Sequence, residues 1–190
     1  MCRGNNLKLE ISMWDQDLYL KALRFAAEAH GDQKVPGSDI SYLYHVACVV
    51  SEVSSVLFKE EVNDPNLLIQ CALLHDVVED TKTSIDEVGS LFGEKTAAGV
   101  EALSKSKDLP KGDAMKESLA RIKAQPREIW MVKLADRITN LQPPPADWNR
   151  DKCTGYRKEA LYILESLGEA SLFLSERLAS KCESYRQYCL

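Results

Sequence analysis

Leu67 to Leu74, an almost unbroken apolar run, leads directly into His75-Asp76-Val77-Val78-Glu79-Asp80-Thr81. No other stretch limits the fold as tightly. The run belongs in an interior, whereas the four ionisable groups that follow it between 75 and 80 resist burial unless they find partners. Asp64-Pro65 places a cap residue before a proline at the first helical position, so the run is expected to be a helix. On that helix His75 and Glu79 are i and i+4, and Asp76 and Asp80 repeat the offset. The four side chains then converge on one side of an otherwise buried element. A metal ion makes such a cluster tolerable, since metals take imidazole and carboxylate together. A helix end fraying into solvent, with Glu79-Asp80-Thr81 as its polar exit, accounts for the segment equally well.

The rest of the chain carries the same helical period. Leu18, Ala22, Phe25, Ala26 and Ala29 set a first helix over about Trp14 to His30, stopped by Gly31. A turn-rich loop from Asp32 to Ile40 follows, with His30 before it and His45 after it. A second helix starts near Tyr42 and carries His45, Val49, Val50, Val53 and Leu57. Ser84-Ile85-Asp86-Glu87 is a capping box that opens a short helix ending at Gly93. Further helices are expected over about Thr96 to Ser104, Asp113 to Ala124, from Pro126 to the stop at Pro143-Pro144-Pro145, Asp151 to Leu167 and Ala170 to Tyr188. Strand signals are nearly absent. The expected fold is all-α, a compact bundle of roughly eight to ten helices. It forms one domain over 1–190, with a loose N-terminal arm at 1–12.

Composition narrows the function classes. A net charge of −5 removes any general attraction to nucleic acid or an anionic membrane. An anionic small substrate would therefore need a metal or a local basic patch. The one positively biased stretch is Lys105 to Lys123, where Lys105, Lys107, Lys111, Lys116, Arg121 and Lys123 face three acids. The six cysteines show no CxxC spacing, and Cys48 and Cys71 fall inside apolar runs, so free thiols in a reducing compartment are expected. No signal peptide and no bilayer-length apolar run is found, which makes the cytoplasm the expected location.

His30, His45 and His75 are the only histidines. His45 and His75 each lie on an apolar helix, where a lone histidine is more often packed and satisfied than ligating. Asp136 follows a third apolar run, Val132-Lys133-Leu134-Ala135, with Asn140 four residues on and on the same face. Alone it reads equally as a surface charge beside Arg137. A histidine on one helix, a His-Asp pair on the next and a distant Asp on a later one resemble the HD phosphohydrolase superfamily. More narrowly, His75-Asp76-x-x-Glu79-Asp80-Thr81, Lys133-Leu134-Ala135-Asp136-Arg137-x-x-Asn140-Leu141 and Ala29-His30-x-x-Gln33 leading to Tyr42-x-x-His45 resemble the hydrolase domain of RelA/SpoT-type alarmone enzymes. The resemblance covers roughly Leu18 to Leu141 and points to the stand-alone small alarmone hydrolases.

That resemblance implies an HD-domain bundle and one metal, by analogy Mn²⁺, held by His45, His75, Asp76 and Asp136. It implies that Glu79 and Asp80 position and deprotonate the attacking water, and that Asn140 touches the nucleotide. The reaction implied is hydrolysis of a 3′-diphosphate on a purine nucleotide, with release of pyrophosphate. Lys105, Lys111 and Lys116 would meet the distal phosphates as flexible point charges. Lys34 would meet the base or the diphosphate. Family members acting on the guanine alarmone usually carry an Arg-Lys pair before the first histidine, then Gly-x-Pro-Tyr. Here Lys34-Val35-Pro36-Gly37 and Ser41-Tyr42 stand instead, which extends the expectation to adenine 3′-diphosphates. Trp148 and Tyr156 either lend an aromatic surface or pack structurally. Other expectations are an HD-type 5′-nucleotidase and a nucleotide sensor without catalysis; the presence of both Glu79 and Asp80 weighs against the sensor.

Overall fold

The computed structural model describes residues 14–105 and 110–190, the side chains at 111 and 112 excepted. The expected arm at 1–12, with Cys2, Lys107 of the basic stretch and the expected role of the Lys111 side chain lie outside the described residues. The described residues form ten α-helices: α1 Gln16–His30, α2 Leu43–Val56, α3 Pro65–Leu74, α4 Val77–Asp80, α5 Ile85–Phe92, α6 Glu94–Leu103, α7 Lys111–Lys123, α8 Arg127–Asn140, α9 Arg150–Leu167 and α10 Leu172–Tyr185. Among them there is no strand, only an isolated bridge between Lys34 and Ser41. The all-α expectation therefore holds. No described helix is long and apolar enough to cross a membrane.

Local chemistry sets the helix ends. Asp15 caps α1 by accepting from the backbone of Asp17 and Leu18, and Ser84 caps α5 by accepting from Glu87 N at 3.2 Å. Gly31, at φ 48°, and Gly93, at φ 88°, end α1 and α5 in conformations that suit glycine. The last expected helix is shorter than its pattern. Residues 168–170 and 186–188 tighten into 3₁₀ turns on either side of α10.

Helix α3 is the centre of the core. Every residue from Leu67 to Leu74 is buried, and α1, α2, α6 and α8 pack around it. Fully burying a leucine such as Leu68 stabilises by ~1.5–3 kcal/mol relative to leaving it in water. Gly99 lets α6 approach closely. A Cβ there would lie 2.5 Å from the Ile129 side chain and 2.8 Å from Cys71 Sγ. Helix α8 is buried on nearly all sides, including Glu128, Lys133, Asp136 and Arg137. Burying those charges requires partners, and two of the partnerships position the site. Glu128 accepts from the Asp64 backbone N–H at 2.9 Å, tying α8 to the start of α3. Lys133 pairs with Asp136, as described below. Cys48, Cys71, Cys153, Cys182 and Cys189 are free thiols.

One expectation fails in a way that matters. The segment 72–81 is not a single helix: α3 stops at Leu74 and α4 begins at Val77. In a continuous helix the Ala72 carbonyl would accept from the Asp76 N–H. Here His75 Nδ1 lies 2.9 Å from that oxygen, and Asp76 adopts φ −107°, ψ −3°. Side-chain competition for a helix carbonyl is a known cause of helix interruption. The break brings two consecutive side chains to one point, where a regular helix would splay them by about 100°.

Candidate metal centre and active site

Three elements deliver the cluster: His45 from the first turns of α2, His75 and Asp76 from the α3–α4 break, and Asp136 from α8. His45 Nε2 and His75 Nε2 are 3.2 Å apart. Asp76 Oδ2 lies 2.9 Å from His75 Nε2 and 3.6 Å from His45 Nε2. Asp136 Oδ1 is 3.6 Å from His45 Nε2. One donor atom each from His45, His75 and Asp76 falls within 4.8 Å of the others, which suits a shared metal ion.

Charge inside the cluster is tightly coupled. Burial opposes ionisation of Asp76, but the facing His75 imidazole and its hydrogen bond hold the carboxyl well below the usual range. Burial likewise disfavours a charged His75, yet Asp76, with Asp136 behind it, raises the imidazole to about 9. His45 is pushed the other way, by burial and then by the neighbouring His75. Asp136 is buried as well, and the Lys133 ammonium is the main influence keeping it ionised.

The donor set fits a divalent metal. Because His75 Nδ1 donates to the Ala72 carbonyl, a neutral His75 presents its Nε2 lone pair to the cluster. Two imidazole lone pairs at 3.2 Å and two ionised carboxylates repel one another unless a proton or a cation lies between them. Imidazole and carboxylate together suit first-row divalent ions.

The surrounding side chains orient the four groups. Lys133 Nζ donates to Asp136 Oδ2 at 2.9 Å, and Asn140 Nδ2 donates to Asp136 Oδ1 at 2.5 Å. Asn140 thus sits on the carboxylate itself as well as lining the cleft beside it. The Tyr42 hydroxyl donates to Asp76 Oδ2. Burial and the Asp76 charge raise this phenol far above its ordinary range, so it stays a donor. Lys133 and Tyr42 were not singled out as site residues in the sequence. A lysine three residues before an aspartate on an apolar helix was the available signal for Lys133. Tyr42 had its place three residues before His45 in the string that carries the resemblance.

Glu79 and Asp80 lie on α4, past the break, so the four groups do not share one continuous helix as expected, and each of the two bonds a partner on a different segment. Glu79 Oε2 accepts from the Lys105 backbone N–H at 2.9 Å, and Lys105 Nζ lies 3.6 Å from Glu79 Oε1. Asp80 is exposed, and its Oδ2 accepts from Gln33 Nε2 at 3.2 Å. Lys34 and Lys116 are exposed and, among the described residues, make no hydrogen bond or ion pair to the cluster.

A cleft of about 200 Å³ opens beside His45, walled by Asn140, Pro143, Pro144, Trp148 and Tyr156. The Trp148 and Tyr156 rings meet edge-on with centroids 5.1 Å apart, and the Arg137 guanidinium lies 4.4 Å above the Tyr156 ring. Both aromatics pack on the core while facing the cleft. A larger groove of about 480 Å³ between Leu141–Pro143 and α10 holds none of the clustered groups.

Comparisons with known proteins place this geometry. The HD domain family matches residues 22–170. The guanosine-3′,5′-bis(diphosphate) 3′-pyrophosphohydrolase MESH1 of Danio rerio is 30% identical over 164 residues, covering 84% of this chain and 89% of that protein. The MESH1 of Homo sapiens is 30% identical over 164 residues with the same coverage, 84% and 89%. The solved structure of a metazoan ortholog of SpoT that hydrolyzes ppGpp and plays a role in starvation responses superposes with a TM-score of 0.79. It covers 94% of this chain and 100% of that one at 23% identity, and it shares the fold. The chain belongs to the HD-domain family, among the relatives of the MESH1 hydrolases.

Proposed function

We propose that the protein is a metal-dependent 3′-pyrophosphohydrolase that removes the 3′-diphosphate of ppGpp and, as a further substrate, of ppApp. The observation that carries this is the convergence of His45, His75, Asp76 and Asp136 from three elements, with Glu79 and Asp80 one turn beyond. The MESH1 relatives, named for this reaction, support it. One divalent ion, Mn²⁺ by analogy with the family, would be held by those four residues, and when bound it lowers the pKa of water and polarises the phosphoryl group.

The chain's own residues do the rest. Glu79, half-buried and fixed by the Lys105 backbone, and Asp80, fixed by Gln33, are carboxylates that accept the proton of the attacking water. Lys105, already at Glu79, would meet the negative charge of the leaving diphosphate. Lys116 would supply a further cationic contact to the phosphates, and Lys34 would meet the base or the diphosphate. Asn140 holds the Asp136 carboxylate and meets the ribose or phosphate from the cleft. The aromatic wall of Trp148 and Tyr156 would give either purine an apolar surface; adenine stands beside guanine because Lys34-Val35-Pro36-Gly37 replaces the usual Arg-Lys pair. Activity would then be found in the cytoplasm, where nucleotides of this kind and reduced thiols coexist.

With Mn²⁺ present, the protein is expected to release pyrophosphate from ppGpp and ppApp and to leave nucleotides without a 3′-diphosphate intact. A product assay over both sets decides it. Cleavage of simple deoxynucleotide monophosphates with both alarmones untouched would favour the 5′-nucleotidase alternative.

Metal affinity should also depend on pH in a definite direction. In the metal-free protein the pKa of His75 is raised to about 9, so below that value a proton occupies the nitrogen a metal needs. Uptake must release it. Affinity is expected to rise from pH 6 toward 9, by up to about tenfold per unit, and to level off above. The same proton stabilises the metal-free fold fully below the ordinary histidine pKa, a contribution lost as pH rises through about 9. Chelator competition at several pH values measures the affinity; a flat profile would contradict the assignment of His75.

A further inference from the structure

Asp80 is the least constrained of the clustered carboxylates. It is exposed at the end of α4, a helix of a single turn. An aspartate there samples several χ1 rotamers unless something restrains it. Among the described residues one hydrogen bond does so, from Gln33 Nε2 at 3.2 Å.

Gln33 is itself held at every polar atom. Its backbone N–H donates to the His30 carbonyl at 2.9 Å, and its carbonyl accepts from Tyr42 N at 2.9 Å. Its side-chain Oε1 lies 2.9 Å from His30 Nδ1. The amide has one consistent orientation. Flipped, it would set Oε1 against the Asp80 carboxylate, acceptor against acceptor. Nε2 therefore faces Asp80, Oε1 accepts from His30, and His30 carries its proton on Nδ1. His30 is buried, at 6% exposure. Its ring lies 4.7 Å from that of Tyr42, whose hydroxyl holds Asp76. Among the described residues, His30 is the one of the three histidines that makes no hydrogen bond or ion pair to the clustered groups. Its Nε2 is buried without a partner, and its Nδ1 is spent on Gln33.

We propose that Gln33, oriented by His30, is a positioning residue that fixes the Asp80 carboxylate for the hydrolytic step. The proposal rests on the role given to Asp80 above. Gln33 touches neither the metal ligands nor the cleft; it acts through Asp80.

The test uses Gln33→Leu and Gln33→Glu, each alone and combined with Asp80→Asn, in the full chain with Mn²⁺ and ppGpp. Glutamate keeps an acceptor for His30 and turns a carboxylate toward Asp80, so it separates the two ends of the bridge. Gln33→Leu is expected to lower kcat by about 10- to 100-fold, the cost of a misplaced catalytic group. KM should stay within about threefold and metal content should not change. Gln33→Glu should lose at least as much. In the Asp80→Asn background neither substitution should lower kcat further, since the group they position is gone. A crystal structure of Gln33→Leu should show Asp80 in more than one rotamer.

An undiminished kcat in Gln33→Leu overturns the proposal, as does a fully active Gln33→Glu or a loss that multiplies with Asp80→Asn. Full activity of Asp80→Asn itself removes the role of Asp80 and the proposal with it. Asp80→Asn inactive beside a fully active Gln33→Leu removes the Gln33 proposal alone. If the native protein leaves ppGpp intact, the proposed function fails, and the rotamer of Asp80 still decides the bridge: a single unmoved rotamer in Gln33→Leu overturns it.

Discussion

Replacing Asp136 by alanine is expected to abolish metal binding and turnover together and to destabilise the metal-free protein. Asp136 is proposed as a ligand, and its carboxylate is also the partner of Lys133 at 2.9 Å in a site where both side chains are under a tenth exposed. Removing the carboxylate leaves a buried ammonium without a counter-charge. Breaking a buried pair this way costs roughly 3–5 kcal/mol. Two independent readings follow: metal content at saturating Mn²⁺ falls to background, and the melting temperature of metal-free protein drops. Asp136→Asn keeps the shape and an acceptor for Lys133, so it should lose metal with a smaller loss of stability. A variant that keeps full metal content would remove Asp136 from the ligand set, and an unchanged melting temperature would remove its role as counter-charge to Lys133.

Replacing Glu79 by glutamine should do the opposite. The amide oxygen can still accept from the Lys105 backbone, so the α4 geometry and the ligands upstream of it are expected to stay in place. The ability to take a proton is lost. Loss of a general base typically costs about 10²–10⁴ in rate, and kcat should fall by that order with metal content unchanged. Loss of metal in Glu79→Gln would move Glu79 into the ligand set. A wild-type rate would leave proton transfer to Asp80 alone. Together the two substitutions separate residues that hold the ion from residues that act on water.

The helices were legible because their signals are local. Asp64-Pro65, Ser84 with Glu87 and the apolar period of α1 and α8 each depend on residues a turn apart. The halt after Leu74 was not legible, since it depends on a histidine ring bonding back to a carbonyl, a choice made only when the ring has somewhere buried to go. Gln33, Tyr42 and Lys133 stand in the strings that carry the family resemblance, but their contacts were hidden for a related reason. A polar residue in a loop or on an apolar helix reads the same whether it faces solvent or a carboxylate from a distant element.

What the sequence by itself determined is the helical class, the caps and the residue types able to bind a metal, because propensity, capping and periodicity act over a few residues. The tertiary structure alone decided how the four polar groups of 75–80 divide. His75 and Asp76 meet His45, with Asp136 3.6 Å from the His45 ring, while Glu79 is taken by Lys105 and Asp80 by Gln33. Those partners come from elements 26 to 61 residues away in the chain, and only the packing of α1, α2, α6 and α8 around α3 brings them within hydrogen-bonding distance.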